Sequence, residues 1–193
     1  MPDTDLSPSA QITIRRWTDI ADQRRLIPAI DTIFFEASGT KIFAGSADRA
    51  AFRERWLGRY LAQDPDWAYL AFDGDATVAG YLVGSIDDPA TSDRFSDIGY
   101  VKDFRGLSAR YPAHLHVNLA PHYRNHGIGA ELIATFAADA ARAGVPGMHV
   151  VTGVASRNVR FYVRNGFHEL ARSRLNGHDV VMLGSRLGPA KTA

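Results

Sequence analysis

Apolar and polar positions change their period several times along the chain, and each change marks an element. Ile12-Thr13-Ile14-Arg15-Arg16-Trp17 alternates and predicts a strand. Leu26, Ile30, Ile33 and Phe34 then fall at helical spacing, which predicts a helix opened by Thr18 or Asp19 and running to about Phe35, with Pro28 interrupting its middle. After a break at Ser38-Gly39-Thr40, the residues Phe52, Trp56, Leu57, Tyr60 and Leu61 predict a second helix from about Ala47 to Ala62. The clearest hairpin follows: Trp67–Phe72 and Ala76–Ser85 flank Asp73-Gly74-Asp75, and Gly80 and Gly84 in its second strand point to a bulge or a close backbone approach. Residues 87–112 are long and polar, and read either as a solvated insertion or as a lid whose aspartates attract a cation.

The next stretch organises the rest. Residues 114–119 predict a buried strand, 120–127 a tight loop, and Ile128, Leu132, Ile133, Phe136 and Ala140 a helix. Ala143-Gly144-Val145-Pro146-Gly147 stops that helix before a β-rich run, Met148 to Val154. Ser156 is placed to cap a short helix that ends at Asn165-Gly166. Two closing strands are expected around the Asn176-Gly177 turn, so the pattern as a whole is α/β.

Composition narrows the class. At 193 residues the chain is the length of one domain, read here as residues 11–187 with a disordered arm at 1–10 and a frayed tail at 188–193. Lys plus Arg (22) nearly equals Asp plus Glu (21) and the basic residues are dispersed, so no nucleic-acid partner is expected. The absence of cysteine excludes disulfides, thiolate metal sites and a cysteine nucleophile. The polar start lacks a signal peptide's apolar region, and no apolar run is long enough for a membrane helix. A cytoplasmic protein with no membrane partner, monomeric or homodimeric, is the expectation.

The candidate chemistry lies in the strand–loop–helix. Gly127 and Gly129 let the backbone take conformations closed to other residues, and the first helical turn presents unpaired N–H groups with the positive end of the helix dipole behind them. Such a site suits a pyrophosphate. No Lys-Ser or Lys-Thr follows Gly129, so this is not the phosphate loop of nucleoside triphosphatases. The third residue after Gly129 is Leu132 rather than glycine, which removes the dinucleotide fingerprint.

What remains is Arg124-x-x-Gly127-x-Gly129 after a strand and Pro121, followed by Asn158-x-x-Phe161-Tyr162-x-x-x-Gly166-Phe167. With these two landmarks the chain resembles the GNAT superfamily of acyl-CoA-dependent N-acetyltransferases. Residues 111–133 also resemble, more loosely, the branch related to the acetyltransferase-like domains of O-GlcNAc hydrolases. The resemblance implies a mixed, mostly antiparallel sheet with a splayed central strand, flanked by helices. It implies acetyl-CoA as cosubstrate and a small-molecule or peptide amine as acceptor, attacked directly in a ternary complex. It places Leu119 and Ala120 beside the acetyl group, Arg124, Asn125, His126, Gly127, Ile128, Gly129 and Ala130 around the pyrophosphate, and Asn158 and Phe161 along the cofactor arm. Ala155 stands where many members have an asparagine, which leaves one cofactor contact without its usual side chain. Tyr162 would protonate the departing thiolate, and Phe35 and Glu36 would meet the acceptor.

For the general base the residues leave His114 and His116, which share one face of the central strand, with Glu36 as an alternative. No carboxylate completes the His-x-His at ligand spacing, so no metal is expected. Two other readings fit the same landmarks. One is an inactive acyl-CoA-binding regulatory domain, the other a module that binds peptides along an open strand edge.

Overall fold

The alternating opening segment forms β1 (Ile12–Arg16) in the computed structural model, which describes residues 12–188. The arm at 1–10 and all but residue 188 of the tail lie outside the described residues. The first helix departs from the expected one. Trp17–Asp19 and Arg24–Leu26 are separate 3-10 turns, and α1 runs only over Ile27–Ala37. Pro28 therefore lies in the first turn, where a missing N–H removes no intrahelical bond. The second expected helix is continuous but changes pitch: α2 (Ser46–Arg53) passes through a π-helical turn (Glu54–Gly58) into α3 (Arg59–Gln63).

The hairpin is β2 (Ala68–Asp73) and β3 (Thr77–Ser85), turning at Gly74 with φ +62°. Its register slips where Ala71 faces Gly80 but Phe72 faces Val78, so the expected bulge is present. Gly80 is also a close approach, since a Cβ there would stand 2.7 Å from the Asn118 carbonyl. The polar segment 87–112 is neither a lid nor a solvated insertion. It carries α4 (Val101–Ser108) and buries Phe95, Ile98, Tyr100, Val101 and Phe104 in the core. Its charges are tied down: Arg94 bonds Asp64, Asp87 and Ser85, and Asp97 receives Arg55 and Arg59. Those two guanidiniums hold the Asp97 carboxyl down to about 2.

The remaining elements are β4 (Ala113–Leu119), α5 (Ile128–Arg142), β5 (Gly147–Gly153), α6 (Asn158–Arg164), β6 (His168–Leu175) and β7 (His178–Arg186). The seven strands form one mixed sheet in the order β1-β2-β3-β4-β5-β7-β6, antiparallel throughout except between β4 and β5. Helices α5 and α6 contribute to a core on one face, with Leu132, Phe136, Leu115, Val150 and Tyr162. The other core joins α1, α3 and α4 to Leu70, Tyr81, Val83 and Met182. The β4–β5 contact is short: only Ala113 with Met148 and His114 with His149 are paired, after which the strands part. Among the described residues no helix is long and apolar enough to cross a membrane.

Candidate functional site

The parting of β4 from β5 opens a cleft of about 1080 Å³ that draws its walls from both sides of the sheet. Val117, Asn118 and Leu119 form its central wall, the loop from Arg124 to Ala130 one end, α6 another, and Glu36 to Lys41 at the end of α1 the side across the sheet. The direction of the central backbone follows from alternation. The Ala120 N–H donates to the Ala79 carbonyl on β3 at 3.0 Å, so the N–H one residue earlier, on Leu119, points to the opposite, open edge. The Leu119 carbonyl on that edge accepts Arg124 Nε at 3.1 Å. The Arg124 side chain thus ties the loop to the end of β4. Ala120, expected at the acetyl group, has its N–H committed to β3.

The loop itself is built from two left-handed positions, Asn125 at φ +67° and Gly127 at φ +84°. Asparagine tolerates that region and glycine enters it without a steric penalty. Between them they curl the chain into a concavity at the start of α5, held from outside by the Tyr123 hydroxyl on Asp73 at 2.7 Å. The N–H groups of Asn125, His126, Gly127, Ile128 and Gly129 bond no carbonyl among the described residues, whereas Ala130 and Glu131 donate to the Gly127 carbonyl. His126 and Ile128, expected around the pyrophosphate, do not line the cleft, and Ile128 is buried in the core. Gly129 serves packing as well, because a Cβ there would press on the Phe161 ring at 3.1 Å.

On α6, Asn158, Phe161 and Tyr162 line the cleft. Tyr162 packs edge-on against Phe161 and Phe167, and its hydroxyl bonds no side chain or carbonyl among the described residues. Burial raises its pKa, so it carries its proton at every ordinary pH. Sequence reasoning missed Arg157 and Arg164, which also line the cleft. Their seven-residue spacing sets both on one helix face, a signal that the Phe-Tyr landmark between them overshadowed. Lys41, Asn118 and Asn165 had no comparable signal. With Arg124 and Lys41 the cleft holds four cations and one carboxylate, Glu36.

The two candidate base histidines are not brought to this cleft. His114 is 3% exposed among Tyr60, Phe95 and His149, and its Nε2 has no hydrogen-bond partner among the described residues. Burial first, then His149 and His116, push its pKa far below the usual imidazole range. His116 shares a 3.3 Å hydrogen bond with the Tyr60 hydroxyl and packs edge-on to Trp56; burial takes it down to about 4. Both are neutral members of an aromatic core, and the strand face they share is the one turned to α3. Glu36 does reach the cleft, while Phe35 lies behind it in a neighbouring cavity. Among the described residues no three His, Asp or Glu side chains gather closely enough to hold a metal ion.

The chain that carries this strand–loop–helix is similar to known proteins. The Acetyltransferase (GNAT) domain family matches residues 64–169, more than half of the chain, and the chain belongs to that family. The fold is also that of the crystal structure of SsHAT, with a TM-score of 0.69 and 24% identity over 92% of this chain and 99% of that one. Ribosomal-protein-alanine N-acetyltransferase from Brucella melitensis is similar at a TM-score of 0.62 and 19% identity, over 91% of this chain and 99% of the other. The yncA protein of Salmonella typhimurium, solved with its cofactor acetyl-CoA, gives a TM-score of 0.58 and 18% identity over 94% and 96% of the two chains.

Proposed function

We propose that this acetyltransferase uses acetyl-CoA to acetylate a primary amine, by direct attack within a ternary complex. The observation that carries the reading is the run of unpaired N–H groups from Asn125 to Gly129, of which Asn125, Gly127 and Gly129 line the same cleft as the open edge of β4. Five donors at the start of a fifteen-residue helix fit a pyrophosphate, and Arg124, Arg157, Arg164 and Lys41 match its charge. The unpaired Val117–Leu119 edge fits an extended amide-bearing arm, which would pair with it as a strand does. Residues Asn158 and Phe161 flank that arm.

Acetyl-CoA supplies an acetyl thioester, whose C–S bond breaks as the C–N bond to the acceptor forms. The Leu119 N–H donates to the acetyl oxygen and stabilises the charge that develops there. Glu36, the cleft's carboxylate, draws the acceptor ammonium in and takes its proton through water, leaving the neutral amine. The Tyr162 hydroxyl gives its proton to the departing sulfur and is reprotonated, through water, by the proton that the newly acylated nitrogen loses. Residues 11–187 act as one domain in this scheme, because both faces of the sheet contribute to one cleft.

The test is calorimetric titration of acetyl-CoA into the protein, followed by thiol release with a panel of amines. Micromolar binding and amine-dependent release of free thiol are expected, with release falling in Glu36→Gln while binding is kept. Absence of acetyl-CoA binding overturns the reading. Tight binding without turnover on any amine would leave a cofactor-binding regulatory domain instead.

A further inference from the structure

Behind the α1 end of the cleft lies a second cavity of about 390 Å³, between α1 and the start of α2. Phe35, Thr40, Lys41, Phe43, Ser46 and Arg49 line it, and Lys41 belongs to both spaces. Its frame is aromatic and interlocked. Phe34 meets Phe35 edge-on at 4.9 Å, Phe35 meets Phe43 at 6.0 Å, and Phe43 meets Phe52 at 5.3 Å. The Arg49 guanidinium lies 3.5 Å from the centre of the Phe35 ring.

Arg49 is exceptional on its helix. Of the four arginines between Ser46 and Gln63, Arg53 pairs with Asp31 at 2.7 Å, Arg55 with Asp97 at 2.8 Å and Arg59 with Asp97 at 2.7 Å. The Arg49 side chain has no carboxylate partner and no hydrogen bond among the described residues; only its backbone N–H is bonded, to the Gly45 carbonyl at 3.1 Å. A guanidinium stacked on an aromatic face is held in orientation while its N–H edge stays free, which is the geometry a carboxylate takes up with two parallel bonds. Lys41 stands beside it with Nζ on the Phe35 and Glu36 carbonyls at 3.0 and 2.8 Å, so it closes the end of α1 and adds positive charge at the boundary between the two spaces. Among the described residues the hydroxyls of Thr40 and Ser46 donate to no protein group.

The cavity and the cleft have opposite requirements for an acceptor. Glu36 on the cleft side favours a cation, and Arg49 with Lys41 on the cavity side favours an anion. We infer that the acceptor is an amine that also carries a carboxylate, its ammonium directed to Glu36 and its carboxylate held by Arg49. This rests on the acetyltransferase reading above and narrows it. Polyamines and other purely cationic amines are poor substrates on this account.

The carboxylate can belong to a small amino acid or to an acidic side chain near a peptide N-terminus, and matched acceptors separate the two. The probes are β-alanine against β-alaninamide, and the peptide amides Ser-Glu-Ala against Ser-Gln-Ala. In each pair a carboxylate is exchanged for a carboxamide of nearly the same shape, and rates are compared per neutral amine. The wild type is expected to favour the carboxylate member of one pair by about tenfold or more in kcat/KM, the identity of the pair naming the source. In Arg49→Ala that ratio is expected to fall to within about twofold, and in Arg49→Glu to invert. Circular dichroism and the acetyl-CoA Kd are the controls of the fold. The same four probes are titrated calorimetrically with and without CoA, so discrimination is read even if turnover is absent. Equal behaviour of both members of both pairs in the wild type, or a preference that survives Arg49→Ala, overturns the proposal. Failure of the underlying reading is distinct, since it appears as absent acetyl-CoA binding.

Discussion

The two walls of the cleft are made of different material. Along β4 and the loop into α5, the groups that face the opening are backbone N–H groups, aimed by the alternation of a strand and by left-handed φ values at Asn125 and Gly127. Across the sheet, the cleft wall from Glu36 to Lys41 and the cavity behind it, which reaches Arg49, present side chains beside an exposed connection, and Ile42 on that connection is 90% exposed. Backbone donors recognise any ligand of the right shape and charge, and they constrain the sequence only where a Cβ or a missing N–H would interfere. Side-chain recognition depends on every residue in it. The first wall therefore suits a ligand common to many proteins, and the second a ligand particular to this one.

The sharpest way to break the contrast is Gly127→Glu. It forces a Cβ residue to φ +84° and sets a carboxylate among the free N–H groups, so acetyl-CoA affinity is expected to fall by about 100-fold or more in calorimetry. Gly127→Ala keeps only the strain of the first change, and its smaller loss separates geometry from charge. Tyr162→Phe comes next: kcat should drop about 10- to 100-fold with the acetyl-CoA Kd unchanged, because the fold keeps the ring and loses only the proton. Replacing Arg157 or Arg164 with alanine should raise that Kd only about two- to fivefold, with a shallower dependence on salt, since both are cations at the cleft margin.

The smallest effect reads the aromatic core rather than the cleft. His116 and His149 are held at about 4 in the folded protein by burial, against an ordinary 6.5 when unfolded. As pH falls below 6.5 the unfolded chain takes up protons that the native chain refuses, so stability is expected to be level above pH 7 and to fall between 6.5 and about 4. Thermal melts across pH 4 to 8 check it, and His116→Gln should flatten the slope while preserving a hydrogen bond to Tyr60.

The sequence carried the fold well where local rules suffice. The hairpin at Asp73-Gly74, the bulge near Gly80, the strand–loop–helix through Gly127 and the turn at Asn176-Gly177 all depend on a few adjacent residues with strong conformational preferences. The start of α1 is not legible because the helical spacing of Leu26 and Ile30 spans a region where Pro28 permits only a first turn. Residues 87–112 read as polar because charged residues such as Asp87, Asp97 and Arg94 are spread through them. Their partners Asp64, Arg55 and Arg59 lie far off in sequence, and no periodicity reports a salt bridge between distant segments. The histidines failed for a related reason. Strand alternation correctly sets His114 and His116 on one face, but which layer covers that face is a property of topology, and here it is the aromatic side of α3. Arg49 was invisible in the sequence because its distinction is the lack of a partner that its neighbours possess.

The seam between β4 and β5 has one further consequence. It consists of two residue pairs and divides the sheet into β1–β4 and β5–β7, which are also consecutive in the chain and joined through the turn at Gly144 to Pro146. Few backbone hydrogen bonds cross the division, yet both cores do: Met182 packs with Tyr81 and Phe104 on one face, and Val150 and Leu183 with Leu115 and Phe136 on the other. The molecule is in this respect two pieces glued rather than stitched. A cut at the turn would leave fragments whose reassembly is driven by oil-like burial and guided by very little register, and each reunion of the halves would rebuild the cleft between them.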